Sequence, residues 1–123
     1  MKHPKYIIVK TGEDEYEFRF GYVEYHIDLL EDKSEIKDCM GGGMYSFKND
    51  KKILLLFGGS SDFGVPSEEV YRKAKIKQDY YYDFLAAINK RLNYIEEGED
   101  NDIRNYKIVS EHYDRELLYP SVK

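Results

Sequence analysis

The run Ile53-Leu54-Leu55-Leu56-Phe57 constrains the fold more than any other stretch. It lies between Asn49-Asp50-Lys51-Lys52 and a Gly/Ser loop that starts at Gly58. A run this short, this apolar and bounded by turn signals reads as a central strand covered on both faces. The segments around it then decide what the strand pairs with and what covers it.

Tyr6-Ile7-Ile8-Val9 is a short β-branched strand, and Thr11-Gly12-Glu13-Asp14-Glu15 is a polar turn after it. The acids of that turn lack partners at metal-binding spacing and read as solvated. Residues 16–22 alternate, with Tyr16, Phe18, Phe20 and Tyr22 on one face and Glu17, Arg19 and Gly21 on the other. That is a half-buried strand, hairpin-paired with the first. From Ile27 the period changes, and Ile27, Leu30 and Ser34, widened by Leu29 and Ile36, predict a helix over 27–37. Cys39-Met40-Gly41-Gly42-Gly43 then reads as a tight link into a strand, because glycines permit close approach of another backbone.

Pro66-Ser67-Glu68-Glu69 is a helix start: a proline, a capping hydroxyl, then acids in the first turn. Val70, Ala74, Lys77, Tyr81, Phe84, Ile88, Leu92 and Ile95 recur at helical spacing and predict a long helix, or two in series, ending in the acidic loop 96–102. Asp100-x-Asp102 lacks the rest of a calcium loop and reads as solvated. Residues 106–113 alternate as a last strand, with His112 as a structural or surface histidine, and 116–123 is a tail expected to fray. The expected fold class is α+β: a mixed sheet with two main helices packed against it. The length, 123 residues, predicts a single domain over 1–123.

Composition bounds the function. A hydrophobic fraction of 41% with 35% charged residues describes a soluble globular chain. The start, Met1-Lys2-His3-Pro4-Lys5, lacks the apolar stretch of a signal peptide, and no apolar run approaches a membrane span. The lone cysteine, Cys39, rules out an internal disulfide framework and reads as a structural thiol. These features predict a cytoplasmic location. A net charge of −5 argues against nucleic acid or an anionic membrane as partner, and an anionic substrate would need a local cluster of cations and N–H groups. Thirteen tyrosines without a tryptophan suggest tyrosine at amphipathic positions along the core edge.

Two features point to chemistry. His26 lies where strand gives way to helix, and histidine titrates near neutral pH without help. Gly58-Gly59-Ser60-Ser61-Asp62-Phe63-Gly64 follows the buried strand and resembles a phosphate cradle of backbone N–H groups and hydroxyls. It is not a Walker loop, and Asp62-Phe63-Gly64 is a chance kinase triplet in a chain too short for a kinase.

The order Lys5-Tyr6-Ile7-Ile8-Val9, Glu24-Tyr25-His26-Ile27-Asp28, Cys39-Met40-Gly41-Gly42-Gly43 and Phe57-Gly58-Gly59-Ser60-Ser61-Asp62 resembles the Janus/Ocnus family over roughly residues 5–76. Its E-Y-H-x-D and C-x-G-G-G elements carry the resemblance, and 77–104 looks like an insertion lengthening the second helix. The resemblance implies a metal-independent phosphohistidine phosphatase with no cofactor. It places the essential histidine on His26, the phosphate-contacting lysine on Lys5, the loop serine on Ser60 and the second-strand arginine most nearly on Arg19. The N–H groups of Gly59, Ser61 and Asp62 join that expected anion site. Met44 stands where the family carries an arginine after the three glycines, which removes a cation.

The expected partner is a phosphohistidine-bearing protein or a small phosphoramidate. A helix N-terminus would keep His26 neutral, so that it serves as general base or as nucleophile. Two other readings compete. One is a non-catalytic module of the same fold that recognises phosphorylated or acidic partners. The other is a protein that self-associates through 67–97.

Overall fold

A turn at Glu13-Asp14 folds β1 (His3–Gly12) back onto β2 (Glu15–Val23), and Asp14 takes the left-handed φ of 56° that this reversal needs. The computed structural model describes residues 1–48, 50–76 and 107–118. The hairpin runs in antiparallel register from His3↔Val23 to Gly12↔Glu15, as the alternation over 16–22 predicts. On its other edge β1 pairs antiparallel with β3 (Cys39–Lys48), which pairs antiparallel with β4 (Ile53–Phe57). β4 then pairs in parallel with β5 (Lys107–Ser110). The fold is α+β: one mixed sheet in the order β2-β1-β3-β4-β5, with helical elements packed against it.

Strand alternation sorts the side chains. Tyr6 and Ile8, Phe18 and Phe20, Tyr45 and Phe47, Leu54 and Leu56, and Ile108 share one buried face. Against it lies α1 (Glu68–Lys75), which contributes Tyr71 and Ala74 to the same core. The helix starts as predicted, with the Ser67 hydroxyl accepting the Val70 N–H at 3.3 Å. The predicted stripe named Val70 and Ala74 but missed Tyr71, the most buried large side chain of α1. Tyrosine also reaches further inward than the core edge. Tyr6, Tyr45 and Tyr71 are buried, and Phe20 meets Tyr45 edge-on at 5.4 Å.

Asp114 fastens α1 to the end of β5. Its carboxylate accepts from the Tyr71 hydroxyl at 2.5 Å, Arg72 at 2.6 Å and the Ser110 N–H at 2.9 Å. Burial works to raise this carboxyl, but those three donors and Lys75 outweigh it and hold it below the ordinary carboxylate value.

Several elements differ from expectation for local reasons. The helix predicted over 27–37 is two 3-10 turns, His26–Leu29 and Lys33–Asp38. Leu30 is extended between them, and short polar side chains capture the backbone donors a continuous helix would use. The Asp32 carboxylate accepts from the Ser34 N–H at 2.8 Å, and Glu35 accepts from Glu31 at 2.8 Å and Asp32 at 3.2 Å.

The three glycines are not a link but lie inside β3. A Cβ on Gly41 would stand 2.6 Å from the Pro66 nitrogen, on Gly42 2.4 Å from the Tyr6 carbonyl oxygen, and on Gly43 2.6 Å from that of Phe57. The last strand stops at Ser110 rather than at 113, because the Ser110 hydroxyl accepts the N–H groups of His112 at 3.1 Å and Tyr113 at 3.3 Å. A short helix, α2 (Arg115–Leu118), follows where fraying was expected.

One α-helix of two turns, α1, is thus the main helix among the described residues. The expected continuation from Lys77, the insertion over 77–104, the acidic loop and all but the start of the 67–97 surface lie outside the described residues. No helix among the described residues is long and apolar enough to cross a membrane.

Gly42→Ala should therefore cost about 3 kcal/mol of stability, since the added carbon meets rigid backbone. Gly12→Ala, whose carbon meets the flexible Glu15 side chain at 3.3 Å, should cost less than about 1 kcal/mol. Urea unfolding of both variants checks the contrast, and equal costs would refute it.

Candidate anion site around His26

The E-Y-H-x-D spacing has a local physical basis. Past the end of β2, the Asp28 carboxylate accepts the Tyr25 N–H at 3.1 Å while the Asp28 N–H donates to the Tyr25 carbonyl at 3.0 Å. This reciprocal box fixes the first 3-10 turn and aims His26 inward. The imidazole comes to rest over the bare backbone of β3, where a Cβ on Gly42 would stand 3.1 Å from its Cδ2.

His26 is 7% exposed, and its Nε2 lies 2.8 Å from the Gly43 carbonyl oxygen. A carbonyl can only accept, so Nε2 carries the proton and Nδ1 carries the lone pair. Among the described residues no hydrogen-bond partner takes Nδ1. Burial is the leading cause that holds His26 below its ordinary value, and the Lys5 ammonium adds to it. The Gly43 bond, second only to burial, and the Asp62 carboxylate pull the other way without overcoming it. The neutral state expected from a helix dipole thus has another main source, since a four-residue turn aligns few peptide dipoles.

Lys5 lies on β1 in register with Gly21 and Met44, and its ammonium donates to the Glu24 carbonyl, two residues before His26. Lys5, Asp62 and His26 are therefore brought together. Arg19 is not. Its register row runs Arg19, Ile7, Gly42, so Ile7 separates it from the histidine's floor. Its guanidinium is bidentate on Glu35 at 2.6 and 2.8 Å, with Glu17 at 3.2 Å. That pairing raises the arginine further and lowers Glu35 to about 2.

The 58–64 loop is a closed turn. Gly58 and Gly64 take φ of 66° and 76°, conformations suited to glycine, and Ser60 pairs with Gly64. The Gly42 N–H donates to the Gly64 carbonyl at 2.9 Å, which fixes the loop to the histidine's floor. Ser60 is buried, and its hydroxyl accepts the N–H groups of Asp62 at 3.3 Å and Phe63 at 3.1 Å. Two loop donors therefore converge on one oxygen, while Gly59, Ser61 and Asp62 are exposed. Met44 is half-buried on the same face as Lys5 and Gly42.

Sequence reasoning missed the Gly43 carbonyl, because a backbone acceptor becomes visible only once strand register is known. It also missed Asp28 as the cap, although a carboxylate two positions after His26 signalled it. His112 was placed on a strand face, but it lies in the turn beyond β5 with Nε2 2.8 Å from the Gly58 carbonyl oxygen. Among the described residues no group of three or more His, Cys, Asp or Glu side chains converges to hold a metal ion. No protein-family model, curated protein or solved structure matches the chain.

The lowered His26 fixes the sign of a pH effect. Unfolding returns the imidazole to its ordinary value of 6.5, so just below that pH the unfolded state binds more protons than the folded one. The contribution to stability is present above the ordinary value and is lost as pH falls through the lowered one. Urea unfolding from pH 7.5 to pH 5 should show wild type losing stability that His26→Gln does not lose. Parallel curves would remove the effect from His26.

Proposed function

We propose that this domain hydrolyses phosphoramidates, with phosphohistidine on a protein as the leading substrate. The observation that carries this reading is the His26–Gly43 bond. It fixes the imidazole as an Nε2–H tautomer and leaves an Nδ1 lone pair on a neutral ring beside a lysine and a glycine-rich loop. The Janus/Ocnus resemblance supplies the reaction class and implies that no metal or other cofactor takes part.

In this reading Nδ1 removes a proton from the attacking water, or attacks phosphorus and forms a transient phosphohistidine whose new P–N bond a water then breaks. The P–N bond breaks, the leaving nitrogen takes a proton, and inorganic phosphate is released. Lys5 turns from the Glu24 carbonyl to a phosphoryl oxygen. The Gly59 and Ser61 N–H groups and the Ser60 hydroxyl supply loop donors for the developing charge, and the Asp62 N–H joins them on leaving the Ser60 oxygen. Arg19 joins them only after leaving Glu35 and Glu17. A cytoplasmic setting, and partners other than nucleic acid or membrane, follow from the composition.

A non-catalytic binding module is the second reading. Two observations favour it: Met44 stands beside Lys5 where the family has an arginine, and Arg19 is occupied by carboxylates.

Phosphate release from a chemically phosphorylated histidine protein tests both readings. Wild type should release phosphate, and His26→Ala should be slower by at least about 100-fold. Met44→Arg should lower KM about tenfold by adding a charge-assisted contact. If wild type binds the phosphorylated protein without turnover, the module reading stands. If His26→Ala releases phosphate as fast as wild type, the site assignment falls.

A further inference from the structure

We infer that His112 is a positioning residue for the 58–64 loop: its Nε2–H holds the Gly58 carbonyl and so sets the direction of the Gly59 N–H. The inference rests on the anion-site reading above and adds a second histidine to it. β4 ends at Phe57, and the chain leaves through two exposed glycines; a Cβ on Gly58 would meet nothing within 4 Å, whereas one on Gly59 would stand 2.8 Å from Val65 Cγ2. Gly58 already takes a left-handed φ of 66°, so rotation of the 58–59 peptide meets little steric resistance. The Gly58 carbonyl and the Gly59 N–H belong to one rigid plane and point opposite ways. Whatever holds the carbonyl therefore aims the N–H.

His112 is itself held. The Glu111 N–H donates to the Leu56 carbonyl at 2.8 Å and carries the β5–β4 pairing one step past the strand. The Ser110 hydroxyl bends the next two residues back towards β4. On the far side the Tyr113 hydroxyl donates to the Pro66 carbonyl, and Asp114 is buried in its clamp. The ring is thereby presented to Gly58 at 2.8 Å. Its Nε2–H can donate whether the ring is neutral or charged, so the contact survives protonation.

The arrangement mirrors the one at His26. A Cβ on Gly43 would lie 3.2 Å from the Gly58 carbonyl oxygen, so one histidine holds a backbone oxygen in mid-β3 and the other holds one just past the end of β4 close by. One oxygen orients the reacting ring. The other orients the loop that faces it.

Backbone NMR on wild type, His112→Phe and His112→Gln tests the inference, with inorganic phosphate as the probe. In the free proteins, His112→Phe should show raised fast motion at Gly59, Ser61 and Asp62, while His112→Gln, which keeps an N–H donor, should match wild type. Phosphate should shift the same amides in wild type, bind about tenfold more weakly to His112→Phe, and recover to within about threefold in His112→Gln. Thermal midpoints of the three should agree within a few degrees, because the ring is exposed. An unchanged loop in His112→Phe overturns the inference, and so does failure of His112→Gln to restore it. Absence of phosphate shifts in wild type overturns the anion reading instead, and the free-protein comparison then decides the role of His112 alone.

Discussion

The structure depends on how closely other groups approach the first half of β3. No side chain at 41–43 would leave room for what lies there: Pro66 at Gly41, the Tyr6 carbonyl and the His26 ring at Gly42, and the Phe57 carbonyl at Gly43. Three separate segments reach the same stretch of backbone. The first 3-10 turn brings the histidine, β4 supplies the neighbouring strand, and the 58–64 loop bonds back through Gly42. Packing and site geometry share one cause here, because the missing side chains create the floor on which the imidazole lies.

The electrostatics around that floor are restrained. Lys5 is the nearest cation to His26, and it is turned to a backbone carbonyl. Arg19, on the same face but beyond Ile7, serves the architecture: it ties the second 3-10 turn to β2 through Glu35. An ion pair with a side chain 14% exposed on one partner and 21% on the other gains little by itself against its desolvation. Its worth lies in fixing where the turn sits. Cys39 lies near this pair, and burial pushes its thiol up, which lowers its thiolate fraction.

Much of the sheet was legible from period alone. The alternation at 16–22 gave the hairpin and the inward face at Tyr16, Phe18 and Phe20 but not the exposure of Tyr22, and the run at Ile53–Phe57 gave an interior strand. Its outer face is less covered than a fully apolar run suggests, with Leu55 and Phe57 half-buried among the described residues. The 27–37 segment misled because its apolar spacing is helical while Asp32 and Glu35 bind nearby backbone donors instead. Local capping won over periodicity there. Side-chain identity singled out His26, Lys5 and Ser60 as candidates, and the structure brings His26 and Lys5 together. The site was illegible where the partner is a carbonyl, at Gly43 and Gly58, because backbone acceptors leave no mark on residue type. Arg19 shows the same limit from the other side: alternation gave its face, but not the two carboxylates waiting there.

The parallel pairing of β4 with β5 carries a kinetic meaning. β1 joins β2, and β3 joins β4, through short turns, so those two hairpins form at small cost in loop entropy. β1 meets β3 across a longer stretch, and Leu54 meets Ile108 across a longer one still. The two hairpins can therefore form first, and β5, which has the greatest sequence separation from its partner, docks as a later event. Docking brings Asp114 to α1 and His112 to Gly58 in the same step. Assembly of the last strand thus doubles as a checkpoint, since the loop gains its outer latch only when the chain has finished folding around it.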